Sequence, residues 1–157
     1  MSKDSVVIED SRRWQKILSE HKELKKLMLK VGLFGEGTPD VNYAARGAVL
    51  HEGSTKMNIP SRPFMKEAHE KNIQTIDSLI DDLYLLFLQD KIKAKQFYLR
   101  LGLAHKKHIQ ESIKNNPWQA VSEKTQAKKG YNKTKPLIDK GILINQIRVQ
   151  VSETDYE

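Results

Sequence analysis

Lys26-Leu27-Met28-Leu29-Lys30-Val31-Gly32-Leu33-Phe34 is the stretch on which the architecture turns. Leu27, Leu29, Val31 and Leu33 alternate with Met28, Lys30, Gly32 and Phe34. That is the period of a strand, whose successive side chains point to opposite faces. Upstream the period is different. Trp14, Ile17, Leu18 and Leu24 fall at helical spacing with charges between them, and Asp10 or Ser11 offers a capping oxygen. The reading is a helix ending near Lys25 and a strand over 26–34. Near the other end, Gln146 to Ser152 alternates Ile147, Val149 and Val151 with polar residues, which predicts a second strand with one buried face.

Between the two strands the pattern is helical. Gly35 to Asp40 reads as a loop, and Asn42 to Leu50 as a short helix weakened by Gly47 and ended by Glu52-Gly53-Ser54-Thr55. Ile59-Pro60-Ser61-Arg62-Pro63 must be extended, since each proline pushes its predecessor out of the α region, and Pro63 can open the next helix. In that helix Ile73, Ile76, Ile80, Leu83 and Phe87 step by three and four, widened by Leu79, Tyr84 and Leu86. So wide a stripe has to be covered, by the core or by another subunit. Lys91-Ile92-Lys93 reads as a turn. A further helix carries Phe97, Leu101, Ala104, Ile109 and Ile113, is expected to break or bend near Gly102, and stops before Asn115-Asn116-Pro117. A brief helix from Ser122 to Gly130 and a proline-bounded turn, Lys135 to Gly141, precede the final strand. Helix, strand, several helices, strand is an α+β order: a small antiparallel sheet packed with several helices, one of them long and amphipathic.

The length of 157 residues fits a single domain. It divides into an N-terminal helical segment (1–25), a core (26–152) and a frayed tail (153–157). No cysteine is present, which removes disulfides, cysteine-ligated zinc and thiol chemistry. The longest apolar run, Leu83 to Leu88, is six residues, against the roughly 20 that a membrane span needs. The start, Met1 to Asp10, lacks the basic and apolar regions of a signal peptide, so the expected compartment is the cytoplasm. A net charge of +7 raises the weight of a polyanion partner. The basic residues are nonetheless spread along the chain. The densest run, Lys124 to Lys135, reads first as solvated surface and second, with Trp118 and Tyr131 nearby, as a nucleic-acid contact.

No catalytic motif is found. Gly32, Gly35 and Gly37 are wrongly spaced for a phosphate loop. His105 and His108 lie three apart and can share a helix face, yet spacing implies no third ligand. Asp77 and Asp81 lie four apart, an arrangement common on exposed helix faces. The expectation is therefore a non-enzyme with no cofactor and no metal.

Two sets of segments carry a family resemblance. The first is Lys30-Val31-Gly32-Leu33-Phe34, Tyr43-Ala44-Ala45, Leu50 to Ser54 and Ile59-Pro60-Ser61-Arg62-Pro63-Phe64-Met65. The second is Leu101-Gly102-Leu103, His108 to Ile113, Thr125 followed by Lys128-Lys129, and Lys135-Pro136-Leu137-Ile138-Asp139-Lys140-Gly141-Ile142-Leu143. In this order they resemble the virion-morphogenesis proteins of long-tailed bacteriophages, which work in the neck as tail-completion or head-tail joining subunits. The likeness runs from about Lys30 to Val151. It departs at His51-Glu52-Gly53, one residue short, at Pro117-Trp118-Gln119-Ala120, which replaces a proline-leucine version, and at Lys140, where threonine is usual.

The resemblance implies a structural virion protein of the neck, made in the host cytoplasm and assembled as a ring of six or twelve copies. Its implied partners are those copies, connector or portal-side proteins, and tail tube or tail terminator proteins, with no membrane and no specific nucleic acid. Pro60, Arg62, Pro63 and Phe64 are then expected to anchor a partner, Phe64 as a plug and Arg62 by a bidentate contact. Pro136, Leu137, Ile138, Asp139 and Gly141 form a second expected interface segment. Met57–Ser61 and Lys124–Lys135 are expected to be mobile loops that order against partners. A basic nucleic-acid-binding accessory protein is the alternative from another class.

Overall fold

Why β1 (Leu27–Gly32) and β2 (Arg148–Glu153) pair is plain from their register. Leu29 lies opposite Val151 and Val31 opposite Val149, so one apolar face forms across two antiparallel strands. A two-stranded ribbon is not stable alone, and this one lies on a helix. The computed structural model describes residues 3–35, 42–115, 117–129, 135–138 and 141–154, with side chains from Ser11 onward. Among these, the elements are α1 (Lys3–Lys25), β1, α2 (Tyr43–Glu52), α3 (Phe64–Leu88), α4 (Ala94–Asn115), α5 (Glu123–Lys128), α6 (Ile142–Asn145) and β2. The order is α+β, with the two-stranded antiparallel sheet and the long helix in place.

The antiparallel pair α3–α4 is the frame, and the sheet lies on α4. Two apolar clusters fill the frame. One holds Phe64, Ala68, Ile109, Ile113, Leu137, Ile144 and Ile147. The other, at the far end, holds Leu83, Phe87, Ile92, Ala94 and Phe97. The stripe on α3 mostly faces this interior: Ile76, Leu83 and Phe87 are buried, whereas Ile73 is exposed.

Several boundaries differ from the sequence reading. α1 already runs from Lys3, so Asp10 and Ser11 lie inside the helix and do not cap it. The end at Lys25 agrees. Pro63 is the residue before α3 and not its first turn. Its φ of −75° and ψ of 60°, with the Phe64 N–H donating to the Arg62 carbonyl at 2.7 Å, make it the centre of an inverse γ-turn. β2 continues to Glu153, and the Thr154 N–H donates to the Lys26 carbonyl, so the ladder extends into the expected tail.

α4 is unbroken at Gly102, contrary to expectation. Glycine is there because the sheet lies on it. A Cβ at this position would sit 2.4 Å from Val149 Cγ1 and 2.7 Å from Leu29 Cδ1. Gly102→Val is therefore expected to lower stability by about 1–3 kcal/mol through overpacking, outweighing its small gain in helix propensity. The urea midpoint checks this; an unchanged midpoint would remove the sheet-on-glycine account.

α1 is tied to the α3–α4 turn by charge. Lys16 and Lys93 both reach Asp90, and Lys93 also reaches Glu20 at 3.0 Å. Hydrogen bonds from the two lysines hold the Asp90 carboxyl at about 2. His21 Nε2 shares a hydrogen bond with the Tyr84 hydroxyl at 2.6 Å on the same side.

Candidate interaction groove

The residues between α2 and α3 form a closed turn, and the reasons are local. Asn42 caps α2 by accepting from the Ala45 N–H, and Gly53 ends it with φ of +80°. Ser54 and Ile59 then exchange both backbone hydrogen bonds, at 2.8 and 2.9 Å, and the Asn58 N–H donates to Thr55. Met57–Ser61, one of the two segments expected to be mobile loops, is thus pinned at its base; of the other, Lys124–Lys135, the first five residues are helical in α5 and residues 130–134 lie outside the described residues. Past it, the Arg62 N–H donates to the Leu50 and His51 carbonyls, and the Ser61 hydroxyl donates to His51. The extended proline segment is strapped across the end of α2.

Arg62 and Phe64 do not reach outward. Phe64 is 0% exposed and Arg62 is 2% exposed. The Arg62 Nε and Nη2 both donate to the Gln119 carbonyl, at 3.2 and 3.0 Å. Both hydrogen bonds go to one neutral carbonyl, and burial lowers the guanidinium pKa. A bidentate contact is therefore present, but it is made inside the subunit and to the backbone. Phe64 plugs the chain's own core, with the His51 ring edge-on at 5.2 Å. The expected plug and fork are anchors of this fold and not side chains offered to a partner. Pro60 and Pro63 are half-buried.

The second expected segment lies partly outside the described residues, Asp139 included. Of the rest, Leu137 is buried, Pro136 and Ile138 are half-buried, and Gly141 is left-handed at φ +75°, immediately before α6. There Gly141 starts a helix, where glycine caps more often end one. The turn is held by Lys129, whose ammonium donates to the Lys135 carbonyl at 2.5 Å and to that of Ile138 at 2.8 Å. Trp118 Nε1 donates to Ser112, and Gln110 Nε2 to Ile144, so this region is fastened to α4.

Parts of the two segments, far apart in the chain, line one groove of about 1220 Å³. Pro60 and Arg62 from the first and Pro136 and Leu137 from the second line it together with Gln119 and Lys129. Sequence reasoning picked out both segments and the basic run that holds Lys129, but gave no bracing role to Gln119 or Lys129. Gln119 serves only through its backbone carbonyl, which no side-chain signal could have revealed.

His105 and His108 do share a side of α4, with ring centres 6.5 Å apart, and His69 of α3 lies 5.8 Å from His105. Among the described residues no group of three or more His, Asp or Glu side chains could hold a metal ion. Burial, and then the neighbouring His69 and His108, lower the His105 pKa below 6.5. A histidine lowered on folding stabilises the fold above its unfolded pKa and loses that contribution as pH falls below 6.5. The urea midpoint is thus expected to drop from neutral to mildly acidic pH, and less so in His105→Gln. Identical profiles for the two chains would refute it.

No helix among the described residues is long and apolar enough to cross a membrane. Comparison of the chain with protein-family models, with curated proteins and with solved structures finds no match.

Proposed function

We propose that this chain is a structural, non-enzymatic ring subunit of the neck of a long-tailed phage, where it completes the tail or joins head to tail. The observation that carries the reading is the convergence of its motif segments. Ile59 to Arg62 and Pro136 to Leu137, each within a segment central to the resemblance, line one groove. The lining is fixed from within, by Arg62 on the Gln119 carbonyl and by Lys129 on the 135–138 turn. A groove with pinned walls loses little conformational entropy when a partner segment enters it. That suits a subunit wedged between connector or portal-side proteins and tail tube or terminator proteins.

The test is electron microscopy of lysates from the encoding phage with an early stop codon in this gene. Filled heads with separate tails, or tails with abnormal ends, are expected. Intact infectious particles would overturn the reading. Tight binding of the purified chain to duplex DNA, falling steeply with salt, would then favour the nucleic-acid alternative.

A further inference from the structure

α3 and α4 each turn a row of exposed side chains away from the core. Residues four apart share a helix face. On α3 that row is Ile73, Asp77, Asp81 and Leu85, all exposed, with Ile73 at 46% and Leu85 at 55%. On α4 it is Leu99, Leu103 and Lys107, with Arg100 beside it and Leu103 at 57% exposed. Such rows form the ridges by which helices pack into one another's grooves.

The two rows have opposite charge. Past Lys71 the only charged residues of α3 are Asp77, Asp81 and Asp82. α4 carries Lys95, Arg100, Lys106, Lys107 and Lys114 against the single acid Glu111. Among the described residues, Asp77, Asp81, Asp82 and Arg100 make no ion pair, and Lys107 comes only within 3.9 Å of Glu111. Like charges four apart on a helix repel, so Asp77 and Asp81 gain from an opposite charge brought against them.

We propose that the α3 row of one copy docks on the α4 row of a second copy of this chain. Each copy carries both halves of the match: acids flanked by Ile73 and Leu85 on one helix, leucines with bases on the next. A polyanion would satisfy α4 alone and leave the α3 row uncovered. A contact between two different patches continues from copy to copy until a rotation closes it, and in that closure the inference rests on the ring reading above.

The test is sedimentation velocity of the full chain at high concentration and low salt, with two exposed-site variants. One is Asp77→Arg with Asp81→Arg; the other is Arg100→Glu with Lys107→Glu. Circular dichroism checks that both remain folded. The wild-type chain is expected to associate, and association to weaken as salt screens the charges. Each variant alone should associate about a hundredfold more weakly or worse, and an equimolar mixture of the two should recover association. A wild-type chain that stays monomeric, variants that associate like the wild type, or a mixture that does not recover would each overturn the pairing. So would association that needs duplex DNA and is lost only in the α4 variant. A species that stops at a dimer upholds the helix pairing and removes the ring. Oligomers in solution alongside infectious stop-codon particles uphold the pairing and remove the neck role.

Discussion

Phe64→Ala is expected to destabilise the subunit by about 3–5 kcal/mol, the usual result of emptying a buried phenylalanine site. Phe64 is the first residue of α3 and is fully buried. It lies in the same cluster as Ala68 and Ile109 from the helix pair and Leu137, Ile144 and Ile147 from the C-terminal third. Its loss removes the group on which three parts of the chain converge. The inverse γ-turn at Pro63 fixes the backbone there, so the surroundings cannot collapse readily into the cavity. Against a typical total of about 5–15 kcal/mol, this is a large fraction. The variant should show a much lower urea midpoint and reduced yield of folded subunit. The measurement also separates two roles of this residue. A partner plug would leave the midpoint unchanged and impair only assembly, and that outcome would refute the internal placement.

Much of the fold was legible because it follows from local periodicity. The alternation from Leu27 to Leu33 marks the switch out of α1 at Lys25, and that of Ile147, Val149 and Val151 supplies the matching face of β2. What was not legible depends on neighbours distant in sequence. Gly102 looks like a helix breaker until Val149 and Leu29 are seen lying on it. Asp10 and Ser11 are good capping residues, but the β-branched run Val6-Val7-Ile8 before them is helical nonetheless. The charge cluster at Asp90 joins residues 74 positions apart, a pairing no short-range pattern reports.

The site was half legible, for a different reason. Arg62 and Phe64 are the residue types that anchor interfaces, and they also anchor cores. Only burial separates the two uses. The proline segment before α3 was read as extended, and it is strapped across the end of α2, yet the meeting of both proline segments in one groove is set by where α4 and the C-terminal third dock. The spacing of Asp77 and Asp81 was visible too. Its meaning depends on α4 presenting a row of opposite sign, which appears only once both helices are placed.

Gly53→Ala is expected to cost about 3 kcal/mol or more, from two effects that act together. The backbone at Gly53, φ +80° and ψ 179°, lies in a region that residues with a Cβ rarely enter. An added Cβ would also meet backbone and not movable side chains: Ser61 N at 2.7 Å, the Ile59 carbonyl oxygen at 2.8 Å and Ser61 Cα at 3.0 Å. To make room, the 54–61 turn must shift away from the end of α2. That shift breaks the Arg62 N–H bonds to Leu50 and His51 and drags the guanidinium off the Gln119 carbonyl. Hydrogen exchange should register this as a local event, with the amides of Ser54, Ile59 and Arg62 losing more protection than those of α4. Phe64→Ala should instead lower protection throughout, because it empties the shared core. An unchanged midpoint and unchanged protection in Gly53→Ala would refute the account of the turn as a rigid strap. Since this turn lines the groove, the same variant should impair assembly beyond what its remaining folded fraction explains.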